Sequence, residues 1–130
     1  MNLEEIKKEI SRADKALKSA EVLIQKNYYE DAISRCYYGA LHAARAVLLI
    51  EDINIGSHQA VRRLFGKHLI KTGKLDKKYA KILAVVQDDR YRADYDVIFS
   101  ATQEDAEESL EGANEFFDAI KEHLKKEIDI

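Results

Sequence analysis

The sequence contains no proline, no tryptophan, one cysteine and five glycines. An antiparallel sheet would need more turn residues, so this composition favours long helices joined by short connections. One cysteine cannot form an internal disulfide, which suggests either a reducing cytoplasm or a protein indifferent to redox state. No apolar run approaches the roughly 20 residues that span a bilayer, so we expect a cytoplasmic protein that does not contact membranes.

Charge and length limit the classes of function further. The formal net charge of -3 argues against a protein that coats nucleic acid through bulk charge, although a local basic site is compatible with it. Hydrophobic residues make up 46% of the chain and charged residues 35%, as in a globular protein with a charged exterior. We expect residues 1–130 to form one domain around one core.

Apolar residues at steps of three and four predict five helices. The first covers about residues 3–26 and the second about residues 28–51. The connection at Asn27 is so short that these two helices must form an antiparallel pair. A third, shorter helix is expected between Ser57, a good N-cap, and Gly73, a good C-terminal cap.

Two more helices complete the prediction. The fourth begins at Asp76 and reaches the segment 87–95, where its boundary is hardest to assign. The fifth has about 25 residues and follows the segment 102–105, which resembles a capping box. The predicted fold class is therefore all-α: an antiparallel up-and-down four-helix bundle with the short third helix as an accessory.

The second predicted helix has two different faces in the stretch from residue 31 to residue 48. One arc is apolar and requires a core; it carries Ala32, Ile33, Cys36, Tyr37, Ala40, Leu41, Ala44, Val47 and Leu48. The opposite arc is polar; it carries Asp31, Ser34, Arg35, Tyr38, His42 and Arg45. These polar types form directed hydrogen bonds and can hold a phosphate, whereas a solvated face is usually Lys and Glu. Packing of the same side chains against neighbouring helices is the alternative interpretation.

A second cluster of such side chains occupies residues 88–95, Asp-Asp-Arg-Tyr-Arg-Ala-Asp-Tyr. In a helix, Arg90 would face Asp94 and Tyr91 would face Tyr95. The cluster is either a set of weak intrahelical ion pairs or a group that grips a phosphate and stacks on a base.

Other kinds of site are not indicated. The sequence has no glycine-rich phosphate loop, no His-Glu-x-x-His pattern, no nucleophile elbow and no cysteine cluster. The four histidines lie on separate segments without metal-ligand spacing, so we expect neither a metal nor a cofactor. His58 and His68 are expected at the surface of the third helix, and only His42 shares a face with Arg and Tyr.

Five segments together carry a resemblance to a known family: residues 32–49, Ser57-His58, Phe65, Lys71–Asp76 and Arg90–Tyr95. In order and spacing they resemble the HEPN domain family, and most closely its small stand-alone branch with an Arg-x-x-Ala-Asp-Tyr signature, which is UPF0332-like. The resemblance implies a bundle similar to the substrate-binding domain of kanamycin nucleotidyltransferase. It also implies a homodimer that often acts with a minimal nucleotidyltransferase as toxin and antitoxin.

Many HEPN proteins are metal-independent ribonucleases with an Arg followed four to six residues later by His. Arg90 matches the Arg, but the fifth residue after it is Tyr95, and no His occurs between His68 and His123. Cleavage of RNA without a metal needs a group that exchanges a proton near neutral pH, and an unperturbed Tyr titrates near about 10. The resemblance therefore leaves open whether this chain is an enzyme.

Three hypotheses follow. In the first, the protein binds a nucleotide or RNA phosphate and pairs with a nucleotidyltransferase; the expected binding residues are Tyr38, His42, Arg45, Arg90, Arg92, Asp94 and Tyr95. In the second, it is a ribonuclease toxin in which Arg90 stabilises the phosphate and His42 is the base. In the third, it is a structural dimer whose polar residues form buried networks. The first two require that the two polar segments meet in one water-accessible hollow.

Overall fold

A computed structural model describes residues 2–128, and within them the chain folds into helices and turns without a strand. The helices, in chain order, are α1 (Leu3–Gln25), α2 (Tyr29–Ile50), α3 (His58–Phe65), α4 (Lys77–Tyr95) and α5 (Gln103–Glu127). Helices α1, α2, α4 and α5 form the bundle and α3 is the accessory, which confirms the predicted fold class. In the part described, no helix combines the length and apolar character of a bilayer span.

Helix α2 is the centre of the bundle. It packs against α1, α4 and α5, while α3 lies across α2 and α4. All nine residues of its predicted apolar arc are buried. The buried surface also extends beyond that arc to Gly39, Ala43, Ala46 and Leu49, because α2 is contacted from three sides rather than one.

The helix ends are set by local signals in the sequence. Asn27 and Gly73 adopt left-handed backbone angles, with φ of 65° and 78°, and close α1 and the α3 segment as predicted. The Asp76 side chain accepts a hydrogen bond from the Lys78 amide at the start of α4. Thr102 and Asp105 form a true reciprocal capping box at the start of α5.

The third helix differs from its prediction. It does not continue as a regular α-helix to Gly73 but changes at Gly66–Ile70 into a π-helical turn. In that turn the Lys71 amide donates to the Gly66 carbonyl at 3.0 Å. A π turn advances fewer degrees per residue, and this keeps Leu69 on the buried side below Val61 and Phe65.

Cys36 provides a first test of how tightly α2 is packed. Its side chain is fully buried, and burial raises the pKa of the thiol to about 12. Because only the thiolate reacts readily, we expect no labelling of the native protein by a thiol-specific disulfide reagent at pH 8 and complete labelling in denaturant. Rapid labelling of the native protein would contradict the packing around α2.

Candidate functional site

An open hollow of about 530 Å³ lies where the C-terminal half of α4 meets α2 and the start of α3. We call it the Arg90 hollow; its lining residues are Tyr37, His58, Gln59, Gln87, Arg90, Tyr91 and Tyr95. None of these lining residues is a carboxylate, although the chain as a whole is acidic. Every lining residue carries a hydrogen-bond donor, so the arrangement suits an anion.

Arg90 is held in place from two helices. Its Nη2 donates to the Tyr38 hydroxyl at 3.1 Å, and its Nε lies 2.9 Å from the Asp94 carboxylate. Asp94 in turn accepts a hydrogen bond from the hydroxyl of Ser34 on α2. The two polar segments identified in the sequence therefore do meet, through Arg90–Tyr38 and Asp94–Ser34.

Aromatic rings surround the same guanidinium. Its Cζ lies 5.3 Å from the Tyr37 ring centre, 5.6 Å from that of Tyr38 and 5.5 Å from that of Tyr95. The rings of Tyr91 and Tyr95 contact each other with centres 5.0 Å apart and planes inclined at 49°, so the two residues face each other as the helical spacing predicted. Tyr91 and Tyr95 are also exposed, so their rings offer flat apolar surface beside the cation.

The residues around Arg90 stabilise its charged form. Burial alone would lower the pKa of Arg90, but the Tyr38 hydroxyl, Asp94 and Tyr95 outweigh it, and the pKa is raised. A guanidinium has five N–H donors, and within residues 2–128 Arg90 forms one hydrogen bond and one ion pair. Nε has no hydrogen-bond partner there despite the close carboxylate. Because Nε is buried beside Asp94, the donors left for a ligand are those of the two terminal Nη atoms that Tyr38 does not engage.

His58, the first residue of α3, lies in the same hollow as Arg90. Its ring packs edge-on against Tyr38 with centres 6.0 Å apart. Partial burial lowers the pKa of His58 below its ordinary value, and the charges of Arg45, Arg90 and His42 lower it further. The sequence placed His58 at the surface but gave no indication that it faces Arg90, because the two are joined only by the packing of α3 across α2 and α4.

His42 and Arg45 have a different partner. Glu9, buried on α1, accepts a hydrogen bond from the Arg45 Nε at 2.7 Å and lies 3.0 Å from the His42 Nδ1. Burial alone would raise the pKa of Glu9, but the hydrogen bonds and charges of His42 and Arg45 outweigh it, and the pKa is lowered. Neither His42 nor Arg45 lines the Arg90 hollow, although both are near enough to act on His58.

The expectation that Arg92 shares a site with Arg90 is not met. Arg92 lines a separate groove of about 460 Å³ between α4 and α5. There it pairs with Asp89 at 3.2 Å, and its Cζ lies 4.8 Å from the Phe99 ring centre. Two positions along a helix differ by about 200° in direction, which accounts for the separation.

Comparisons with known proteins identify the family of this chain. The family model for the HEPN domain matches residues 6–124, almost the whole chain. The chain belongs to the HEPN domain family. This confirms the resemblance drawn from residues 32–49 and 90–95.

Two relatives and one solved structure are similar to this HEPN chain over most of its length. A Methanocaldococcus jannaschii protein named "Putative toxin MJ0605" is 34% identical over 95% of this chain and 91% of its own length. A Thermotoga maritima protein named "UPF0332 protein" is 27% identical over 88% of this chain and 86% of its own length. The crystal structure of ST0689, described as an archaeal HEPN homologue, superposes with a TM-score of 0.70 at 18% identity; the match covers 90% of this chain and 95% of that chain. It supports the fold alone.

Proposed function

We propose that this HEPN protein binds the phosphate of a nucleotide or of RNA in the Arg90 hollow. The observation that carries the proposal is the Arg90–Tyr38 contact, which joins side chains 52 positions apart at the wall of an open hollow without carboxylates. A guanidinium held by one hydrogen bond and one ion pair keeps donors for the oxygens of a phosphate. The exposed rings of Tyr91 and Tyr95 supply a surface on which a base can stack.

We further propose that the protein acts in the cytoplasm as a homodimer, with a minimal nucleotidyltransferase as its partner, in a toxin–antitoxin-like pair. Support comes from the relative named as a toxin and from what membership of the HEPN family implies. The test is to read the neighbouring reading frames for a small nucleotidyltransferase, to co-express it with this protein and to apply the mixture to size-exclusion chromatography. Absence of such a neighbouring gene, or separate elution of the two proteins, would contradict the partnership.

The proposed site predicts different results for substitutions of Arg90 and of Arg92. Arg90→Lys keeps the charge but loses the planar donor pair and the contact with Tyr38, so we expect binding of a nucleoside monophosphate or a short single-stranded RNA to weaken about tenfold. Arg90→Ala is expected to weaken it further. Binding would be measured by isothermal titration calorimetry.

Arg92→Ala is the matched control for this experiment. It removes the same kind of side chain two positions away, from a residue outside the hollow, and should change the dissociation constant less than twofold. Melting temperatures with and without ligand separate binding from a structural role. If the Arg90 variants lowered the melting temperature while no ligand shifted it in the unmodified protein, the structural-dimer hypothesis would replace this one.

The ribonuclease hypothesis needs a different base from the one the sequence suggested. His42 is bonded to Glu9 and does not line the hollow, whereas His58 lies beside Arg90 within it. If the protein cleaves RNA without a metal, we expect His58→Gln to abolish cleavage in EDTA and His42→Gln to preserve it at temperatures where the variant is folded. Intact RNA after incubation with the unmodified protein over a range of pH would exclude this second function.

A further inference from the structure

We infer that the Arg90 hollow selects a terminal phosphate monoester over a phosphodiester, because His58 takes up a proton when the ligand binds and becomes the second cation of the site. This inference rests on the proposed function and specifies its ligand class. The ligand is a phosphate monoester, whether carried by a free nucleotide or by the end of an RNA chain.

The geometry provides two positions for positive charge on one ligand. Arg90 projects from α4 and His58 from the first turn of α3, and both line the hollow. Both also contact the side chain of Tyr38, Arg90 through the hydroxyl and His58 through the ring. A phosphate group bound by Arg90 therefore lies in the hollow that the imidazole of His58 also lines.

The groups that face His58 are almost all neutral or positive. From α2 they are Tyr37, Tyr38, His42 and Arg45; from α3 itself, Arg62; and from α4, Arg90 with the two exposed tyrosines that follow it. No carboxylate lines the hollow or the smaller recess beside it, as far as residues 2–128 are concerned. The acids that pair with these cations lie outside the hollow: Glu9 pairs with His42 and Arg45, Asp94 with Arg90, and Asp88 with Arg62.

This environment disfavours the charged form of His58 while the hollow is empty. Partial burial and the surrounding cations lower the pKa of His58. A bound dianion would offset the charge of those cations and raise that pKa. When an anion raises the pKa of a neighbouring histidine, binding and proton uptake become coupled. One proton on His58 would then give the site two cationic donors.

The number of charges on the ligand decides whether this uptake is favourable. A phosphate monoester has a second pKa near about 6 and carries nearly two negative charges at pH 7. A phosphodiester carries one, which the donors that Arg90 keeps beside its pair with Asp94 can bind without a second cation. Only the monoester compensates both Arg90 and a protonated His58, so the coupled proton favours chain ends and mononucleotides over internal RNA linkages.

The experiment is isothermal titration calorimetry at pH 7 with adenosine 5′-monophosphate and adenosine 3′,5′-cyclic monophosphate, in buffers of different ionisation enthalpy. The two probes share base and sugar but differ in the charge of the phosphate. We expect the monoester to bind about tenfold more tightly, with uptake of at least about half a proton, and the cyclic diester to bind without uptake. Affinity for the monoester should fall as the pH rises through the pKa of His58 in the complex.

His58→Gln and His68→Gln are the matched pair of variants. His58→Gln should abolish proton uptake and reduce affinity for the monoester about tenfold, with less than a twofold change for the cyclic diester. His68 belongs to the π turn after α3 and does not line the hollow, so His68→Gln should leave both values unchanged. A tetranucleotide with and without a 5′-phosphate then identifies the source: tighter binding of the phosphorylated form indicates an RNA end, and equal binding indicates a free nucleotide.

Two results would overturn the inference in distinguishable ways. Equal binding of both adenosine probes without proton uptake, but with loss of binding in Arg90→Lys, would remove the role of His58 and leave the proposed function intact. Failure of the unmodified protein to bind any of the phosphate probes would remove both.

Discussion

Glu9→Ala is expected to lower the free energy of unfolding by about 3 kcal/mol. The Glu9 carboxylate is buried and is the partner of both His42, at 3.0 Å, and Arg45, at 2.7 Å. Its removal leaves the Arg45 charge and the His42 ring, both mostly buried, without an acceptor between α1 and α2. Urea denaturation followed by circular dichroism measures the change.

Two further variants test the cause of that loss. Glu9→Gln keeps one oxygen that can accept from Arg45, so it should cost about 1–2 kcal/mol, less than Glu9→Ala. Glu4→Ala removes an acid of the same helix whose pair with Lys8 is exposed at 3.6 Å, and it should cost less than about 0.5 kcal/mol. Equal effects of Glu9→Ala and Glu4→Ala would show that the buried pair does not stabilise the fold.

The same carboxylate predicts how stability depends on pH. The pKa of Glu9 is lowered in the folded protein, so the folded state binds fewer protons there than the unfolded state. The stabilisation from Glu9 is therefore present above its unfolded pKa of about 4.3 and is lost as the pH falls through the folded value. In Glu9→Gln this part of the acid-induced loss should be absent.

Gly39→Ala is expected to lower the free energy of unfolding by about 2 kcal/mol, despite the better helix propensity of alanine. A Cβ atom at position 39 would lie 2.5 Å from Leu17 Cδ2 and 2.7 Å from Leu17 Cγ. Leu17 is 4% exposed and packed in the core, so either its side chain must leave its packed position or α1 must move away from α2. The measurement is again denaturant unfolding.

Gly112→Ala is the matched control, since Gly112 is also inside a long helix. Its added Cβ would meet the nearest atom, Ile82 Cγ2, at 3.6 Å, which is an ordinary contact. We therefore expect Gly112→Ala to raise stability by about 0.5–1 kcal/mol through reduced backbone entropy of the unfolded chain. Stabilisation by both substitutions would refute a close approach of α1 and α2 at Gly39.

Residue patterns along single helices were sufficient to predict most of the fold. The buried arc of α2, the end of α1 at Asn27, the capping box at Thr102 and the pairing of Arg90 with Asp94 all depend on residues within a few positions of each other. The π turn at Gly66–Ile70 was not predicted, because it depends on how Leu69 meets the core that other helices form.

The candidate site could be predicted only in part. Glu9 does carry a signal in the sequence, since a lone acid between Ile6 and Ala13 on the apolar stripe of α1 requires a partner. No comparable signal connects His58 with Arg90, or separates Arg92 from it, because these relations depend on the relative placement of three helices.

The sequence by itself determined the HEPN family, the all-α bundle and the two segments that carry Arg and Tyr, because periodicity and motif order are properties of neighbours along the chain. Only the tertiary structure decided which of those side chains share a hollow. It placed Arg90 in contact with Tyr38 and in the same hollow as His58. It paired His42 and Arg45 with Glu9 instead. Contacts between helices depend on how whole helix faces pack together. The order of residues along the chain does not specify which polar side chains become neighbours in that packing.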